Sequence, residues 1–303
     1  MQHTIAIKID VDTDRGTRIG VPNLLKLFSY ANIPATFLFS LGPDNTGRAI
    51  KRIFRPGFLK KVNRSSVVSV YGIRTLLNGT LLPAPHIGRR NEKIIKQVQH
   101  LGHEVGIHCY DHIRWQDGLA TMSKEEVFAE FAKARNEFQR IFGFPAKTAG
   151  SAGWQANAYS LAAYDDAQLL YASDTRGHTP FFPRVDGVTY QTLQIPSNLP
   201  TLDELIGRPE YPFEQLSDVY LQKIASQSLN ILTIHAELEG MKYLTWFEDL
   251  IKKIKKMNVE FIKMEEIAQR LLHAPEHIAV CDMQQGEIDG RSGTLALQGL
   301  NCS

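Results

Sequence analysis

The chain has 303 residues, 43% of them hydrophobic, enough to bury the core of one large α/β domain or two small ones. Three widely spaced cysteines (Cys109, Cys281 and Cys302) are too few and odd in number for a disulfide framework, and favour a reducing compartment. The start of the chain has no basic-then-apolar leader, no run reaches about 18 apolar residues, and a net charge of +2 without a recognisable motif argues against nucleic-acid binding, so neither a secretory signal nor a membrane span is expected.

Alternation of Ile5, Ile7, Ile9 and Val11 with Thr4, Ala6, Lys8 and Asp10 predicts a first strand over Thr4–Val11. Val21-Pro22 opens a helix, and Ala35–Leu41 reads as the next strand. Residues 45–91 then carry ten Lys/Arg and no Asp or Glu, interleaved with apolar side chains. Such a basic, apolar insertion suits an anionic membrane surface, and Arg52, Arg55, Lys60, Lys61 and Arg64 are its candidate docking residues. A solvated basic face is the plainer reading.

Beyond the insertion, a helix over Asn91–Leu101 and a strand over His103–His108 follow. Ser123-Lys124-Glu125-Glu126 is a capping box for a long helix ending near Gly143 and Pro145. Strands are predicted at Ala146–Ala149, Leu169–Ser173, Gln191–Ile195, Asn230–His235 and Val259–Ile262. Helices are predicted near Asp203 and over Phe213–Ser226, Met241–Met257 and Glu265–Leu272. The weakly patterned tail His273–Ser303 reads as an extension or a disordered segment. This β–α alternation predicts a mostly parallel sheet or barrel, whose functional residues gather at the C-terminal strand ends.

Chemistry-bearing residues fall at those ends. Asp10-Val11-Asp12 closes the first strand, His108 and His112 bracket the end of another, and Asp174 and His235 follow two more. Two histidines four apart with a carboxylate suit a catalytic divalent metal. An EF-hand loop is excluded, because its sixth position is Arg15 and its twelfth Val21. A phosphotransferase of the haloacid-dehalogenase type would use Asp10 as nucleophile but leaves His108 and His112 without a role. A His-Glu-x-x-His protease lacks its glutamate. Each cluster alone is also compatible with turn carboxylates or a satisfied buried histidine. Asp174 is placed to orient His235, and Arg176 to hold Asp10 or an anionic substrate; Trp154 is a pocket wall or a core anchor.

Taken together, Ile9-Asp10-Val11-Asp12-Thr13, Gly106-Ile107-His108-Cys109-Tyr110-Asp111-His112, Ser173-Asp174-Thr175-Arg176-Gly177 and Thr233-Ile234-His235-Ala236-Glu237-Leu238-Glu239-Gly240 resemble the NodB-type polysaccharide deacetylases. The resemblance spans about Ile5 to Leu272 and implies an irregular (β/α) barrel of about seven strands, here with the basic apolar insertion at 45–91 and an extension at 273–303. It implies Asp10 as base, Asp12, His108 and His112 as ligands of one divalent ion (Zn, Mn, Co or Fe), and His235 as acid with Asp174 as its partner. Ala152-Gly153-Trp154 replaces the family's usual Arg-x-Pro, leaving Arg15 and Arg176 as candidates to steer the base. With Arg15-Gly16-Thr17-Arg18, Gly42-Pro43-Asp44-Asn45 and Ile206-Gly207-Arg208, these departures resemble a branch of the family acting on lipid-linked sugars. That branch implies hydrolysis of the formamide of undecaprenyl-phosphate-linked 4-deoxy-4-formamido-L-arabinose, a step in lipid A modification and cationic-peptide resistance. It also implies peripheral attachment to the cytoplasmic face of the bacterial inner membrane. Another carbohydrate N-deacetylase, a haloacid-dehalogenase-like phosphatase and a non-catalytic membrane-binding protein are the competing classes.

Overall fold

A computed structural model of the protein describes residues 3–49 and 72–303. The docking candidates Arg52, Arg55, Lys60, Lys61 and Arg64 lie outside the described residues. The strands in chain order are β1 (His3–Val11), β2 (Thr36–Ser40), β3 (Glu104–Cys109), β4 (Thr148–Ala149), β5 (Tyr171–Ala172), β6 (Phe182–Val185), β7 (Val188–Thr189), β8 (Leu193–Gln194), β9 (Leu229–His235), β10 (Val259–Phe261), β11 (Val280–Gly286) and β12 (Leu295–Cys302).

A parallel path β9-β1-β2-β3-β4-β5-β8 forms the open barrel. β10 pairs with the first residues of β1, before β2 takes over that edge at Lys8. The seven-strand expectation therefore matches the ladder. β8 and β9 share no ladder; Asn198 bridges them instead, donating to Leu229 O at 2.8 Å and accepting from Ile231 N at 2.8 Å. One side-chain amide thus supplies the donor and acceptor that a strand would offer.

The alternation of β1 decides what lies on each side. Ile5, Ile7, Ile9 and Val11 pack outward into one apolar cluster with Leu24, Phe28 and Phe247 of the surrounding helices. Ala6 points the other way, into a smaller cluster with Tyr171, Leu193, Ile195 and Ile231 that fills the barrel. Lys8 and Asp10 share Ala6's side of the strand, so they also point inward, and Lys8 is fully buried.

Helix Val21–Ala31 buries Leu24, Leu25 and Phe28 and stops at Asn32, whose φ is 51°. Helix Lys124–Phe142 begins at the Ser123/Glu126 capping box and stops at Gly143, φ 80°. The helix expected over Met241–Met257 is shorter, Leu244–Ile254, preceded by a wide turn at Leu238–Lys242. Close packing explains the turn: a Cβ on Gly240 would stand 2.8 Å from Gly20 Cα, and one on Gly20 would stand 2.0 Å from Ala236 O.

The tail corrects two expectations. His273–Ser303 is an ordered extension, because β11 and β12 form an antiparallel hairpin and β11 also pairs in parallel with β6. Leu295, Ala296 and Met283 are buried there. Cys281 and Cys302 are bonded across this hairpin, whereas Cys109 is a buried free thiol 3.2 Å from Ser40 Oγ. An odd count concealed one local pair, since spacing in sequence does not show which strands meet. Among the described residues, no helix is long and apolar enough to cross a membrane.

Candidate active site

The barrel mouth gathers the predicted clusters. In the β1–β9 ladder Asp10 is the register partner of His235, so the early carboxylate and the late histidine stand side by side. Asp12 follows β1, His108 lies near the end of β3, and His112 opens the helix His112–Gly118. That helix starts where it does because Asp111 caps it, accepting from Ile113 N at 3.1 Å and Arg114 N at 3.0 Å. The strand-to-helix turn brings the two imidazoles together, with ring centroids 5.3 Å apart.

Asp12 Oδ1 lies 3.2 Å from His108 Nε2 and 3.5 Å from His112 Nε2. A ligand atom from each of the three fits within 4.8 Å of the others. His108 Nδ1 is 2.6 Å from Gly150 O, a contact that takes a proton on Nδ1 and turns Nε2, bare, toward Asp12. Asp12 Oδ1 is buried without a hydrogen-bond partner. A carboxylate and two imidazoles arranged this way fit a divalent cation with positions left for water and substrate. Burial alone would raise the Asp12 carboxyl, but His112, His108 and His235 pull it well below the usual carboxylate range. Burial would lower the His108 imidazole, and Asp10 and Asp12 more than offset it, raising its pKa.

Asp10 Oδ1 is likewise buried and without a hydrogen-bond partner. Its Oδ2 is 3.5 Å from the ammonium of Lys8, which also donates to Ser173 O at 3.1 Å and lies 5.2 Å from the Trp154 ring centroid. Lys8 is the charged residue beside Asp10, a position for which the sequence offers Arg15 or Arg176. The period of β1 already put Lys8 on Asp10's face; what it lacked was the curvature that turns this face inward.

Arg176 is committed elsewhere. It donates to Glu204 Oε1 at 2.6 Å, Ser197 O at 3.0 Å and Leu199 O at 2.9 Å, and its guanidinium stacks 5.3 Å from Trp154. Trp154 is 2% exposed, bonds Ser197 Oγ at 3.1 Å and meets Arg291 of the extension at 4.5 Å, so it is an anchor behind Lys8 rather than an open wall. Arg15 lies on the rim, lining a separate cavity with Arg18 and Arg74.

Asp174 does not orient His235. Its oxygens accept from Ser151 N at 2.6 Å, Gln194 Nε2 at 3.1 Å and Tyr164 Oη at 3.5 Å, while His235 Nδ1 is buried with no hydrogen-bond partner. Burial raises the Asp174 carboxyl. It braces the Gly150-Ser151 turn whose carbonyl holds His108. Glu239 accepts from the His235 backbone N–H at 2.9 Å, and burial pushes that carboxyl up to about 7.

Sequence reasoning gave Glu237 no role. Its Oε1 accepts from Asp12 N at 3.1 Å, Thr13 N at 2.9 Å and Thr13 Oγ1 at 2.7 Å, clamping the loop that carries Asp12. Gly16 makes room for it, since a Cβ there would stand 1.9 Å from Glu237 Oε1. The His-Ala-Glu run and the Arg15-Gly16 pair were visible separately; nothing local showed that they meet.

A parallel barrel whose mouth gathers two histidines and an aspartate able to hold a cation, beside the buried carboxylate of Asp10, has the makings of a metal-assisted hydrolase. The family model for polysaccharide deacetylase matches residues 4–172, and the chain belongs to that family, a hydrolase acting on amide C–N bonds. It is 39% identical over 294 residues to a Shewanella sediminis protein named probable 4-deoxy-4-formamido-L-arabinose-phosphoundecaprenol deformylase, covering 97% of this chain and 94% of that one. A protein of the same name from Wigglesworthia glossinidia brevipalpis is 33% identical over 285 residues, covering 93% and 98%. In fold the chain is similar to a polysaccharide deacetylase structure from Mycobacterium smegmatis (TM-score 0.63, 14% identity, 95% and 96% covered). A second such structure, from Pseudomonas aeruginosa PAO1, gives 0.60 at 17% identity, with 90% and 91% covered.

Proposed function

We propose that this chain removes the formyl group from 4-deoxy-4-formamido-L-arabinose carried on undecaprenyl phosphate, releasing formate and the 4-amino-sugar lipid. The observation that carries the chemistry is the convergence of Asp12, His108 and His112 next to an Asp10 whose inner oxygen has no partner. The named relatives, matched over nearly their whole length, support the substrate.

Asp12, His108 and His112 would hold a divalent ion, whose chemistry there would be to acidify water and polarise the amide carbonyl. Asp10 takes the proton of the attacking water, with Lys8 fixing its other oxygen. His235, beside Asp10 in the ladder, gives a proton to the departing amine nitrogen. The clamp from Glu237 keeps the Asp12 loop in place through both steps. The donor set of two imidazoles and one carboxylate suits Zn, Mn, Co or Fe alike.

We assign residues 1–272 to the hydrolase domain, 45–91 to a docking insertion and 273–303 to an extension. The basic, apolar composition of 45–91 supports contact with an anionic membrane, and the lipid substrate supports a place on the cytoplasmic face of the inner membrane in lipid A modification. The product amine would add positive charge to lipid A and so weaken binding of cationic peptides. A second reading, N-deacetylation of another glycan, is favoured by the family model.

Mass spectrometry of the formamido-arabinose lipid in vesicles, with and without chelator, decides between them. Chelator-sensitive loss of the formyl group, faster on anionic vesicles, is the expected result. An untouched lipid alongside turnover of an N-acetyl glycan would replace the first reading with the second.

A further inference from the structure

A cavity of about 480 Å³ opens beside the mouth, and its chemistry differs from that of the metal site. Four arginines line it, Arg15, Arg18, Arg74 and Arg90, against one carboxylate, Asp14. Asp14 is partly spoken for: it accepts from Asn91 Nδ2 at 2.9 Å and sits 3.5 Å from Arg90 Nε. The cavity is therefore strongly electropositive, whatever Arg90 and Asp14 do to each other. A lining with more guanidinium groups than carboxylates suits the oxygens of a phosphate.

Its place relative to the mouth is fixed by the backbone. Asp14 lies two residues beyond Asp12 on the same loop. Asp44 holds the two sides of the cavity together, accepting from Asp14 N at 3.1 Å and from Asn78 Nδ2 at 3.1 Å. The next residue, Asn45, donates to the cap Asp111 of the His112 helix at 2.6 Å. The arginine cavity and the cation site thus share one short rigid frame. Ile73, a lining residue, is 68% exposed, and Leu81 next to the lining Leu82 is 80% exposed, so an apolar edge borders the charged interior.

We infer that this cavity binds the phosphodiester that joins the sugar to its polyprenyl chain, with Arg18 and Arg74 as the residues that select a phosphate-linked substrate. The inference rests on the proposed deformylase reading. In that substrate the amide is on C4 and the phosphate on C1, on opposite sides of one pyranose ring, so a phosphate site must lie a single ring away from the cation site. The cavity begins at Asp14, two residues beyond Asp12, and its apolar edge offers a surface to the first isoprene units. A free phosphate would use the same guanidinium groups but gain nothing from the edge.

The test compares two substrates, the polyprenyl phosphodiester of the formamido sugar and its phosphate-free methyl glycoside, with wild type and with R18Q/R74Q. Both substituted side chains are exposed, so folding is spared. The wild-type preference in kcat/KM for the phosphodiester should shrink at least about tenfold in the variant, the size of one lost charge-assisted bond. An undiminished preference would overturn the assignment. Polyprenyl phosphate should compete at lower concentration than inorganic phosphate; equal competition would remove the lipid from the proposal. If wild type releases formate from neither substrate, the deformylase reading is what fails. Calorimetric binding of polyprenyl phosphate, weakened in R18Q/R74Q or not, then still decides the cavity.

Discussion

The two ends of the barrel each bury carboxylates, and they treat them in opposite ways. At the floor, Glu104 at the start of β3 accepts from Thr36 Oγ1 at 2.6 Å, Tyr171 Oη at 2.7 Å and Glu265 N at 3.0 Å. Thr36 Oγ1 in turn accepts from Met264 N at 3.0 Å, tying the last helix of the barrel to the network. At the mouth, Asp10 Oδ1, Asp12 Oδ1 and His235 Nδ1 are buried and bare. An unsatisfied buried polar atom costs about 1–3 kcal/mol, so these three atoms at the mouth hold several kcal/mol of unmet demand, whereas the Glu104 carboxylate has its partners. The same residue types therefore stabilise the fold at one end and are held ready for a ligand at the other.

The contrast breaks most sharply at the metal site. His112→Ala should lose bound metal and at least about 10³-fold in activity, while Asp10→Asn should keep the metal and still lose about 10²–10⁴-fold in kcat/KM. Metal content by plasma mass spectrometry beside formate release reads both. Metal retained in the first variant, or turnover retained in the second, would reassign the residue concerned. Lys8→Met comes next, with an expected loss of about tenfold or more in kcat as Asp10 Oδ2 loses its partner; an unchanged kcat would reduce Lys8 to a packing residue. The smallest effect belongs to the floor. Burial pushes Glu104 up to about 7 from an ordinary 4.5. A carboxyl raised on folding contributes stability that is complete below about pH 4.5 and is lost as pH rises through 7. Glu104→Gln should flatten that part of the Tm-against-pH curve, by at most about 3 kcal/mol, with activity little changed. A curve with the wild-type slope would place the titration elsewhere.

Much of the mouth was legible in sequence because strand ends are legible. Asp10, Asp12, His108 and His235 each fall where a period-2 run stops, and parallel strands point those stops the same way. What was hidden depends on which neighbour a side chain meets. Asp174 stands at a strand end, as its position suggests, yet it turns to Ser151, Gln194 and Tyr164 instead of His235. Arg176 is two residues further on in sequence but is spent on Glu204 and two carbonyls. Lys8 was counted on the polar side of an amphipathic strand, and only closure of the sheet makes that side the interior. The bonded pair Cys281 and Cys302, 21 residues apart, needed the hairpin to bring them together. Short strands were overestimated for a related reason: β4, β5 and β8 have two residues each, because the chain leaves the ladder early to build the turns at Gly150 and Arg176.

The gap between β8 and β9 has one more consequence. Asn198 pins the seam lower down, and nearer the mouth a tie between two hydroxyls, Ser197 Oγ and Thr233 Oγ1, 2.7 Å apart, holds it. A seam fastened by side chains behaves like a buckled strap rather than a woven hoop. Its girth two residues below His235 can be let out or taken in by exchanging Ser197 or Thr233, with no row of backbone bonds to unpick, and the room left for a sugar becomes a quantity that single substitutions can tailor.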